Sequence, residues 1–329
     1  MTPPAEKSAA PFVARLIAAL AIMLAPIRAE AAEPFCPESA VKIVVPFPPG
    51  GPTDISARLL GERLRERLGQ NVIVEARAGA SGSLGTGYVA QQPGNGCTIL
   101  LAYDTHAVNP ALSQLPFDTV AAFKPVMLIG TIPNALAVHA SQPWTTLEEL
   151  IAAAKRTELV YATGSSAGVA FFAMTLIEQL YGVHLRHVPY KGGAPAAQDL
   201  MAGHVPMMMG SVTVIAPAVQ AGKTRAVVQT GAARHPLLPD TPTMAELGHA
   251  GFSAVSWLGI FVPASSPDGI VTRLHAELAN ILQDALIRER LATMGVEVAA
   301  SSPQALGAFV SAEIARWTEV VKRNNIKPE

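Results

Sequence analysis

The sequence predicts an α/β fold with a mostly parallel sheet, because short apolar runs alternate with amphipathic segments and the connecting loops are short. Residues 41–45, 72–75 and 98–102 are apolar runs of strand length. Residues 55–68 carry apolar side chains at helical spacing, and a second helix is predicted over 83–91. Since helical crossovers join parallel strands, we expect these three strands to be neighbours in the order 2-1-3.

A second series of the same kind begins after Pro125. Residues 126–139 are predicted to form two extended pieces around Pro133, and loops at 131–134 and 257–266 are the expected crossing points between two lobes. The further predicted elements are strands at 159–163, 184–188, 205–209 and 225–230, and helices at 146–156, 169–181, 194–202, 268–292 and 303–323.

Composition limits the classes of partner. The chain has 329 residues, a length that corresponds to about two domains. Half of the residues are apolar and 15% are charged, which supports sizeable cores and differs from the composition of disordered chains. The 24 basic and 25 acidic residues give a formal net charge of -1 and form no basic cluster. Nucleic acid and anionic membrane surfaces are therefore not expected as partners.

Residues 1–31 have the pattern of a signal peptide. Basic residues precede a short apolar segment at 16–27, and Ala29 and Ala31 fit the small-residue cleavage rule. The apolar segment is shorter than the roughly 17–25 residues that a membrane-spanning helix needs. We therefore expect cleavage near Ala31 and export of the mature protein.

Two glycine-rich loops each follow a predicted strand and precede a predicted helix, at residues 46–51 (PFPPGG) and 79–82 (GASG). The first N–H groups of a helix lack partners within the helix and carry partial positive charge, so both loops are candidate anion sites. Ordinary turn chemistry is the alternative explanation for either loop alone. Neither loop matches the G-x-x-x-x-G-K-[ST] or G-x-G-x-x-G motifs of nucleotide-binding proteins.

Residues 164–168 match G-x-S-x-G, the nucleophile elbow of serine hydrolases, between a predicted strand and a predicted helix. A hydrolase would use Ser166 as its nucleophile, with Asp240 and His275 as the downstream acid and base. His275 lies in a predicted amphipathic helix, which does not favour that role. Because the sequence has no HExxH motif and no paired cysteine spacing, neither a metal nor another cofactor is expected.

Longer motifs are together more specific than any single loop. They are IVVPFPPGGPTD (43–54), GASG (79–82), GNGCTILLA (94–102), NPAL (109–112), VPYKGGAPAAQDLMAGHV (188–205), PDTPTMAELG (239–248) and AEIARWTEVVK (312–322). In these motifs the chain resembles the Bug-type (TctC-type) periplasmic solute-binding proteins of tripartite tricarboxylate transporters. The resemblance covers essentially the whole chain after the signal peptide.

The resemblance implies a two-lobed, type II periplasmic-binding-protein fold of the Venus flytrap kind, with a mostly parallel sheet in each lobe. Lobe 1 would comprise residues 35–134 plus 257–329, and lobe 2 residues 135–256. The resemblance further implies a non-enzymatic, monomeric, periplasmic protein that captures a small organic carboxylate between its lobes. Its partners would be the membrane permease subunits of a transporter. A metabolite sensor for a signalling partner would use the same pocket and stays an alternative.

Ligand-binding residues are also implied by the resemblance. One carboxylate of the ligand would lie between the PFPPGG and GASG loops, and loops from the second lobe would complete the pocket. The residues carried over are Phe47, Pro48, Gly50, Ala80, Ser81, Gly82, Thr105, His106, Ser166, Gly168, Gly192, Gly193 and Ala194.

One segment departs from the family pattern. Where relatives more usually have glycine, serine and histidine, this chain has Phe171, Phe172 and Met174. Together with the methionines at 207–209, these side chains predict an apolar distal pocket. Such a pocket would favour an aromatic or short aliphatic monocarboxylate over citrate, whose extra charges need polar partners. The alternative is that the two phenylalanines and Met174 face the core of the lobe.

The two cysteines form a candidate disulfide. In an exported protein a pair of cysteines is a candidate for oxidation. Cys36 precedes the first strand and Cys97 precedes the third, and in the order 2-1-3 those strands are parallel neighbours. Both cysteines would then lie at the amino-terminal edge of the sheet, within disulfide range. Two unpaired thiols are the alternative.

Overall fold

The computed structural model describes residues 1–2 and 34–326. The predicted signal peptide, 1–31, falls almost wholly outside the described residues. The strands are β1 (Ala40–Val45), β2 (Asn71–Ala76), β3 (Thr98–Ala102), β4 (Phe123–His139), β5 (Leu159–Thr163), β6 (Leu185–Pro189), β7 (Met207–Ser211), β8 (Thr224–Gln229), β9 (Val255–Pro263) and β10 (Glu297–Val298).

The helices alternate with these strands over most of the chain. They are α1 (Pro52–Leu68), α2 (Ser83–Ala90), α3 (Thr105–Leu112), α4 (Leu147–Ala154), α5 (Val169–Tyr181), α6 (Gly193–Ala202), α7 (Val212–Gln220), α8 (Asp268–Gln283), α9 (Ala285–Thr293) and α10 (Pro303–Arg323). A short 3₁₀ turn, Ala80–Gly82, precedes α2. Among the described residues no helix has both the length and the apolar character needed to cross a membrane.

The strands form one continuous path in the order β2-β1-β3-β9-β4-β7-β5-β6. The predicted order 2-1-3 for the first three strands is confirmed, and both pairs are parallel. On the other side, β5 is parallel to β6 and to β7. The strands form two groups that share β4. The first strand group consists of β1 to β4, β9 and β10, in which β1 to β4 share one direction and β9 and β10 run in the opposite direction. In the second, β5 to β8 share one direction and β4 opposes them. This is the mostly parallel, two-lobed α/β architecture expected from the sequence.

The long strand β4 belongs to both groups. Its first part, as far as Pro133, pairs with β9, and its second part, from Asn134, pairs with β7 and β8. The prediction that 131–134 and 257–266 are loops is therefore wrong, because 131–134 lies within β4 and most of 257–266 lies in β9. β9 is buried on both faces, so its sequence is a continuous apolar run without the alternation that marks a half-buried strand. The lobe boundaries themselves stay a prediction.

Two further differences concern helices. The single helix predicted over 268–292 is two helices, because Asp284 leaves the helical conformation and its side chain accepts a hydrogen bond from Leu286 N at 2.8 Å. Helix α3 was not predicted, since Pro110 lies within it and breaks the apolar periodicity of a short segment. This helix matters for function because it begins directly after β3.

The disulfide expected between Cys36 and Cys97 is present in the structure, with a Cα–Cα distance of 4.8 Å. Both residues are buried, and Cys97 O accepts a hydrogen bond from Lys42 N at 2.8 Å. The bridge therefore lies at the amino-terminal edge of β1 and β3 and closes a loop with a sequence separation of 61. The loops that follow the carboxyl ends of the strands are at the opposite edge.

Removing this bridge is expected to lower stability without affecting the opposite edge. The double variant Cys36→Ser/Cys97→Ser should lose about 2–4 kcal/mol of unfolding free energy, because the unfolded chain regains the conformations that the bridge excludes. Urea denaturation of both proteins measures the difference, and affinity for the carboxylate that the resemblance implies serves as the control that should not change. An unfolding free energy equal to that of the wild type would contradict the expectation.

Candidate functional site

Five helices begin at a single cavity between the two strand groups. The N-cap residues that line this inner cavity are Gly51 of α1, Asp104 of α3, Gly168 of α5, Gly192 of α6 and Ser211 of α7. Gly51, Gly168, Gly192 and Ser211 make no side-chain capping hydrogen bond to their own helices. The Asp104 carboxyl accepts hydrogen bonds from the backbone of Thr105 and Val169, the first residues of α3 and α5. The N-termini of the other three helices have no side-chain partner of this kind.

Three of the five helices that begin elsewhere have side-chain caps. Thr146 caps α4, Asp284 caps α9 and Ser302 caps α10, each by accepting a hydrogen bond from a backbone N–H in the first turn. The N-cap residues of the other two, Gly82 of α2 and Pro267 of α8, make no such bond. Each helix N-terminus is equivalent to roughly half a positive charge, so their convergence creates a positive site. No Lys or Arg of the described residues lines the inner cavity.

An outer cavity continues from the inner one. Both are lined by Phe47, Pro48 and Gly192, and the outer cavity extends to the GASG loop and to Ser166. Ser81 Oγ lies 3.1 Å from Ser166 Oγ, so hydroxyls from the two strand groups are in hydrogen-bond contact across this opening. Asn109 Nδ2 of α3 donates to Ser81 O at 3.0 Å and holds the GASG loop in place.

Glycine is required where two loops of the second group approach each other. Gly192 N donates to Gly164 O at 2.8 Å, and a Cβ on Gly164 would lie 2.7 Å from Gly193 N. Gly192 itself has a φ of 125°, which L residues rarely adopt. The first glycine of the G-x-S-x-G sequence is thus required by backbone packing around the cavity.

A polar cluster forms the floor of the inner cavity. It consists of Asp104, Tyr103, Asn134, Ser211 and Ser256. The Asp104 carboxyl accepts hydrogen bonds from the side chain of Ser256 and from the backbone of Val169, the first residue of α5. Burial raises the pKa of Asp104 to about 7 against these hydrogen bonds, and burial together with the nearby Asp104 charge raises the pKa of Tyr103. The cavity floor thus holds a carboxyl group that changes its charge near neutral pH.

The floor is tied to the strands that join the two groups. Asn134 Nδ2 donates to Ala254 O and to Ser256 Oγ, both at 3.1 Å. Asn134 N donates to Thr230 Oγ1 at 3.0 Å, and Thr230 Oγ1 donates to Ala254 O at 2.7 Å. Hydrogen bonds therefore connect the wall of the cavity to the segments where the chain passes between the strand groups.

Eleven of the thirteen site residues expected from the resemblance line one or both cavities. They are Phe47, Pro48, Ala80, Ser81, Gly82, Thr105, Ser166, Gly168, Gly192, Gly193 and Ala194. Gly50 and His106 do not line either cavity. Gly50 N instead donates to Asp54 Oδ2 at 3.1 Å. Ligand contact by the eleven stays a prediction.

His106 belongs to an aromatic cluster. Its ring centroid lies 4.8 Å from that of Phe261 and 5.3 Å from that of Phe123, and Trp257 is also in contact. The side chain is buried, and burial lowers the pKa of His106 to about 3. The ring is therefore neutral and packs in the core, which does not support the predicted role in ligand contact.

Asp104, Asn134 and Ser256 were not among the residues predicted from the sequence. Asp104 directly precedes the expected Thr105 at the end of β3, so the strand-end rule could have identified it. Asn134 was hidden because its segment was predicted as a crossing loop, and no element was predicted at Ser256, directly before the second crossing loop. Only the pairing of β4 with β9 brings these two side chains to the cavity.

The basis proposed for an apolar distal pocket is partly wrong. Phe172 and Met174 are fully buried in the core, where the Phe172 ring stacks on Trp317 with centroids 5.2 Å apart. Phe171 does not line the inner or the outer cavity. The inner cavity nevertheless has apolar walls, which come from other side chains such as Phe47, Met208 and Val214. Among the three methionines at 207–209, only Met208 lines the cavity.

Ser166 has no catalytic partner among the residues described around it. Its hydroxyl contacts Ser81, and no histidine lines the outer cavity. His275 lies on α8, where its Nε2 is 3.1 Å from Ser301 O. Within the described residues, no group of three His, Cys, Asp or Glu side chains could hold a metal ion.

Comparison with known proteins gives a consistent result. Residues 56–326 match the family model described as "Tripartite tricarboxylate transporter family receptor". BugT of Bordetella pertussis is 31% identical over 320 residues, which cover 95% of this chain and 98% of BugT.

Two solved structures are similar in both fold and sequence. The structure of R. palustris Rpa4515 with adipate has a TM-score of 0.85 and 35% identity, covering 89% of this chain and 99% of that chain. The structure of MatC from Rhodopseudomonas palustris with bound malate has a TM-score of 0.82 and 33% identity, covering 87% of this chain and 99% of that chain.

The raised pKa of Asp104 makes a testable contribution to stability. The pKa of Asp104 is raised from 3.8 to about 7 in the folded protein. Between these two pH values the folded state binds more of this proton than the unfolded state does. Wild-type stability should therefore decrease over this pH range, whereas Asp104→Asn does not titrate. The unfolding free energy of Asp104→Asn relative to wild type should rise from pH 4 to pH 7, by up to about 4 kcal/mol.

Urea unfolding at pH 4, 5.5 and 7 measures this difference. The exposed Asp118 is a control of opposite sign, because hydrogen bonds from the backbone of Ala121 and Val120 lower its pKa. Asp118→Asn should be less stable than wild type by a nearly constant amount from pH 4 to pH 7, because the effect of a lowered pKa develops below the unfolded value of 3.8. Parallel pH profiles for Asp104→Asn and wild type would show that the pKa of Asp104 is the same in the folded and unfolded states.

Proposed function

The chain belongs to the family of tripartite tricarboxylate transporter receptors, and we propose on that premise that it captures a small organic carboxylate in the inner and outer cavities. The observation that carries the proposal is the convergence of five helix N-termini on the inner cavity. We further propose that cleavage near Ala31 produces a mature, monomeric protein in the periplasm. This protein would deliver its ligand to membrane permease subunits.

Helix dipoles and backbone N–H groups bind an anion without a cationic side chain. The N–H groups of α1 and α6 provide donors, and hydrogen bonds from them to a carboxylate are stronger than bonds between neutral groups. The apolar walls from Phe47, Met208 and Val214 lower the local dielectric constant, which strengthens these interactions. A carboxylate attached to a short carbon skeleton matches both the positive and the apolar parts of the cavity.

The relatives support this class of ligand. One similar structure holds adipate and another holds malate, and both molecules are small organic carboxylates. The apolar character of the inner cavity favours a ligand with few charges, since each additional charge would need its own polar partner. We propose that an aliphatic or aromatic acid with one or two carboxylates binds better than citrate.

Capture would favour the closed arrangement of the two strand groups. Loops from both groups line the cavities, and the Ser81 and Ser166 hydroxyls meet at the opening. A ligand that contacts both groups binds the closed arrangement more tightly than any open one, and this difference in affinity drives closure.

Thermal unfolding with a panel of ligands tests the carboxylate proposal. Adipate, malate, benzoate, nicotinate and citrate would be compared with putrescine, a cation of similar length. A ligand present at 100 times its dissociation constant adds about 2.7 kcal/mol of stability, which corresponds to a rise of roughly 5 °C in Tm for a chain of this size. We expect at least one acid with few charges to produce this rise and putrescine to produce none.

The opposite result would remove the proposal. If no acid raised Tm, and if the protein hydrolysed esters in a reaction that Ser166→Ala abolished, the serine hydrolase would replace the binding protein. A larger shift with citrate than with every other acid would contradict the preference for few charges.

The hydroxyl pair at the opening gives a second test. Ser166→Ala removes the contact with Ser81 Oγ, and we expect ligand affinity to fall about fivefold, corresponding to the roughly 1 kcal/mol of one hydrogen bond. Ser311→Ala is the matched control, because Ser311 is exposed on α10 and its hydroxyl bonds only to Gly307 O within the same helix. Calorimetric titration measures both variants. Equal affinity of Ser166→Ala and Ser311→Ala would exclude a role of the hydroxyl pair in binding.

A further inference from the structure

Asp104 is the one acidic side chain among the described residues that lines the two cavities. It is 2% exposed and lies at the N-terminus of α3, facing the N-terminus of α5. Its partners are the side chain of Ser256 and the backbone of Val169 and Thr105. A carboxyl group in the wall of a cavity built for anions requires a physical explanation.

An ionised Asp104 would oppose the binding of a carboxylate. Two negative charges a few ångströms apart repel each other strongly where apolar walls exclude water. A protonated Asp104 has no charge, and its O–H group can donate a hydrogen bond to a ligand oxygen. Because five helix N-termini favour an anion in the cavity, a cationic ligand is not expected. A proton on Asp104 would instead remove the repulsion between its carboxylate and that of the ligand.

We propose that Asp104 is a specificity-determining residue that binds the ligand carboxylate as a neutral acid, so that capture of the anion takes up one proton. The proton comes from the solvent, resides on a carboxyl oxygen of Asp104 and is shared in a hydrogen bond with the ligand. On release, the ligand leaves as the anion and Asp104 returns the proton to the solvent. This inference rests on the proposed carboxylate-binding function.

The other titratable groups near Asp104 do not account for such a proton. Tyr103 is neutral near pH 7 because burial raises its pKa, and His106 is neutral because burial lowers its pKa. Glu313 on α10 acts through its charge, which adds to the rise in the pKa of Asp104, and its own carboxylate is 3.3 Å from Arg316 Nη1.

The remaining elements packed against Asp104 supply no titrating group. β4, β7 and β9 contribute Asn134, Ser211 and Ser256 to the cavity floor. Lys191, beside the outer cavity, is the one basic side chain among the described lining residues of the two cavities. Asp104 is thus the group whose charge changes between pH 6 and 9 at the ligand.

The sign of the pH dependence distinguishes ligand classes. If the ligand is an anion, bound ligand raises the pKa of Asp104 further, and affinity falls as the pH rises above the value for the free protein. If the ligand carried an ammonium group toward Asp104, affinity would rise with pH. The proposal therefore commits this cavity to a carboxylate without a cationic group beside Asp104.

Calorimetric titration with adipate at pH 6.5, 7.5 and 8.5 tests the proposal. We expect wild-type affinity to fall by about tenfold or more from pH 6.5 to pH 8.5, since each pH unit above the free pKa changes affinity by up to tenfold. Titrations at pH 7.5 in two buffers of different ionisation enthalpy should show uptake of a substantial fraction of one proton. Asp104→Asn should bind with an affinity that does not depend on pH.

The matched control is Asp199→Asn. Asp199 is a carboxylate at the other end of α6, where it accepts a hydrogen bond from the Tyr190 hydroxyl at 2.6 Å and is 3.2 Å from His204 Nδ1. Because it lies outside both cavities, its replacement should keep the wild-type pH dependence.

Each of the following outcomes would overturn the proton uptake, the role of Asp104 or the proposed function. Adipate affinity that is flat with pH in the wild type, or that rises with pH, would overturn the proton uptake and leave carboxylate binding standing. A folded Asp104→Asn protein that retained the wild-type pH dependence would assign the proton to another group and overturn the role of Asp104. Absence of binding by adipate and every other acid of the panel at all three pH values would overturn the proposed function and this inference together.

Discussion

Every helix that reaches the inner cavity follows the carboxyl end of a strand, and the placement of the binding groups depends on this arrangement. The strands β1, β3, β5, β6 and β7 are each followed by a helix whose N-cap residue lines the cavity. Because parallel strands end at the same edge of a sheet, their helix N-termini collect there and their partial positive charges act together. The strand β4 then brings the two edges to one cavity, since it pairs with β9 before Asn134 and with β7 from Asn134 onward.

This arrangement binds an anion at a cost in stability. A glycine N-cap, as at Gly51, Gly168 and Gly192, is less stabilising than a side-chain cap by a few tenths of a kcal/mol. Asp104 adds a second cost, because ionisation of a buried carboxyl is unfavourable. The unfavourable groups are concentrated in the walls where a ligand would satisfy them, and the disulfide stabilises the opposite edge.

Much of the fold follows from local sequence patterns. The strand–helix alternation around the loops at 46–51 and 79–82 predicted the order 2-1-3, and glycines mark the places where backbones approach, as at Gly164 and Gly192. The parts that failed are those in which long-range contacts override local signals. β9 is flanked on both sides by β3 and β4, and its continuous apolar sequence, which fits a strand buried on both faces, lacks the alternation of a half-buried strand.

For the site, the sequence by itself determined the backbone elements: the glycine-rich loops, the strands before them and the helices after them. Local chain stiffness and helix capping decide these features, so a motif of a few residues is sufficient to predict them. Only the tertiary structure decided which side chains share the cavity. It moved His106 and Phe172 into the core, and it brought Asp104, Asn134 and Ser256 together. Those positions depend on contacts between segments more than a hundred residues apart, such as Asn134 Nδ2 with Ser256 Oγ, and no local pattern encodes such contacts.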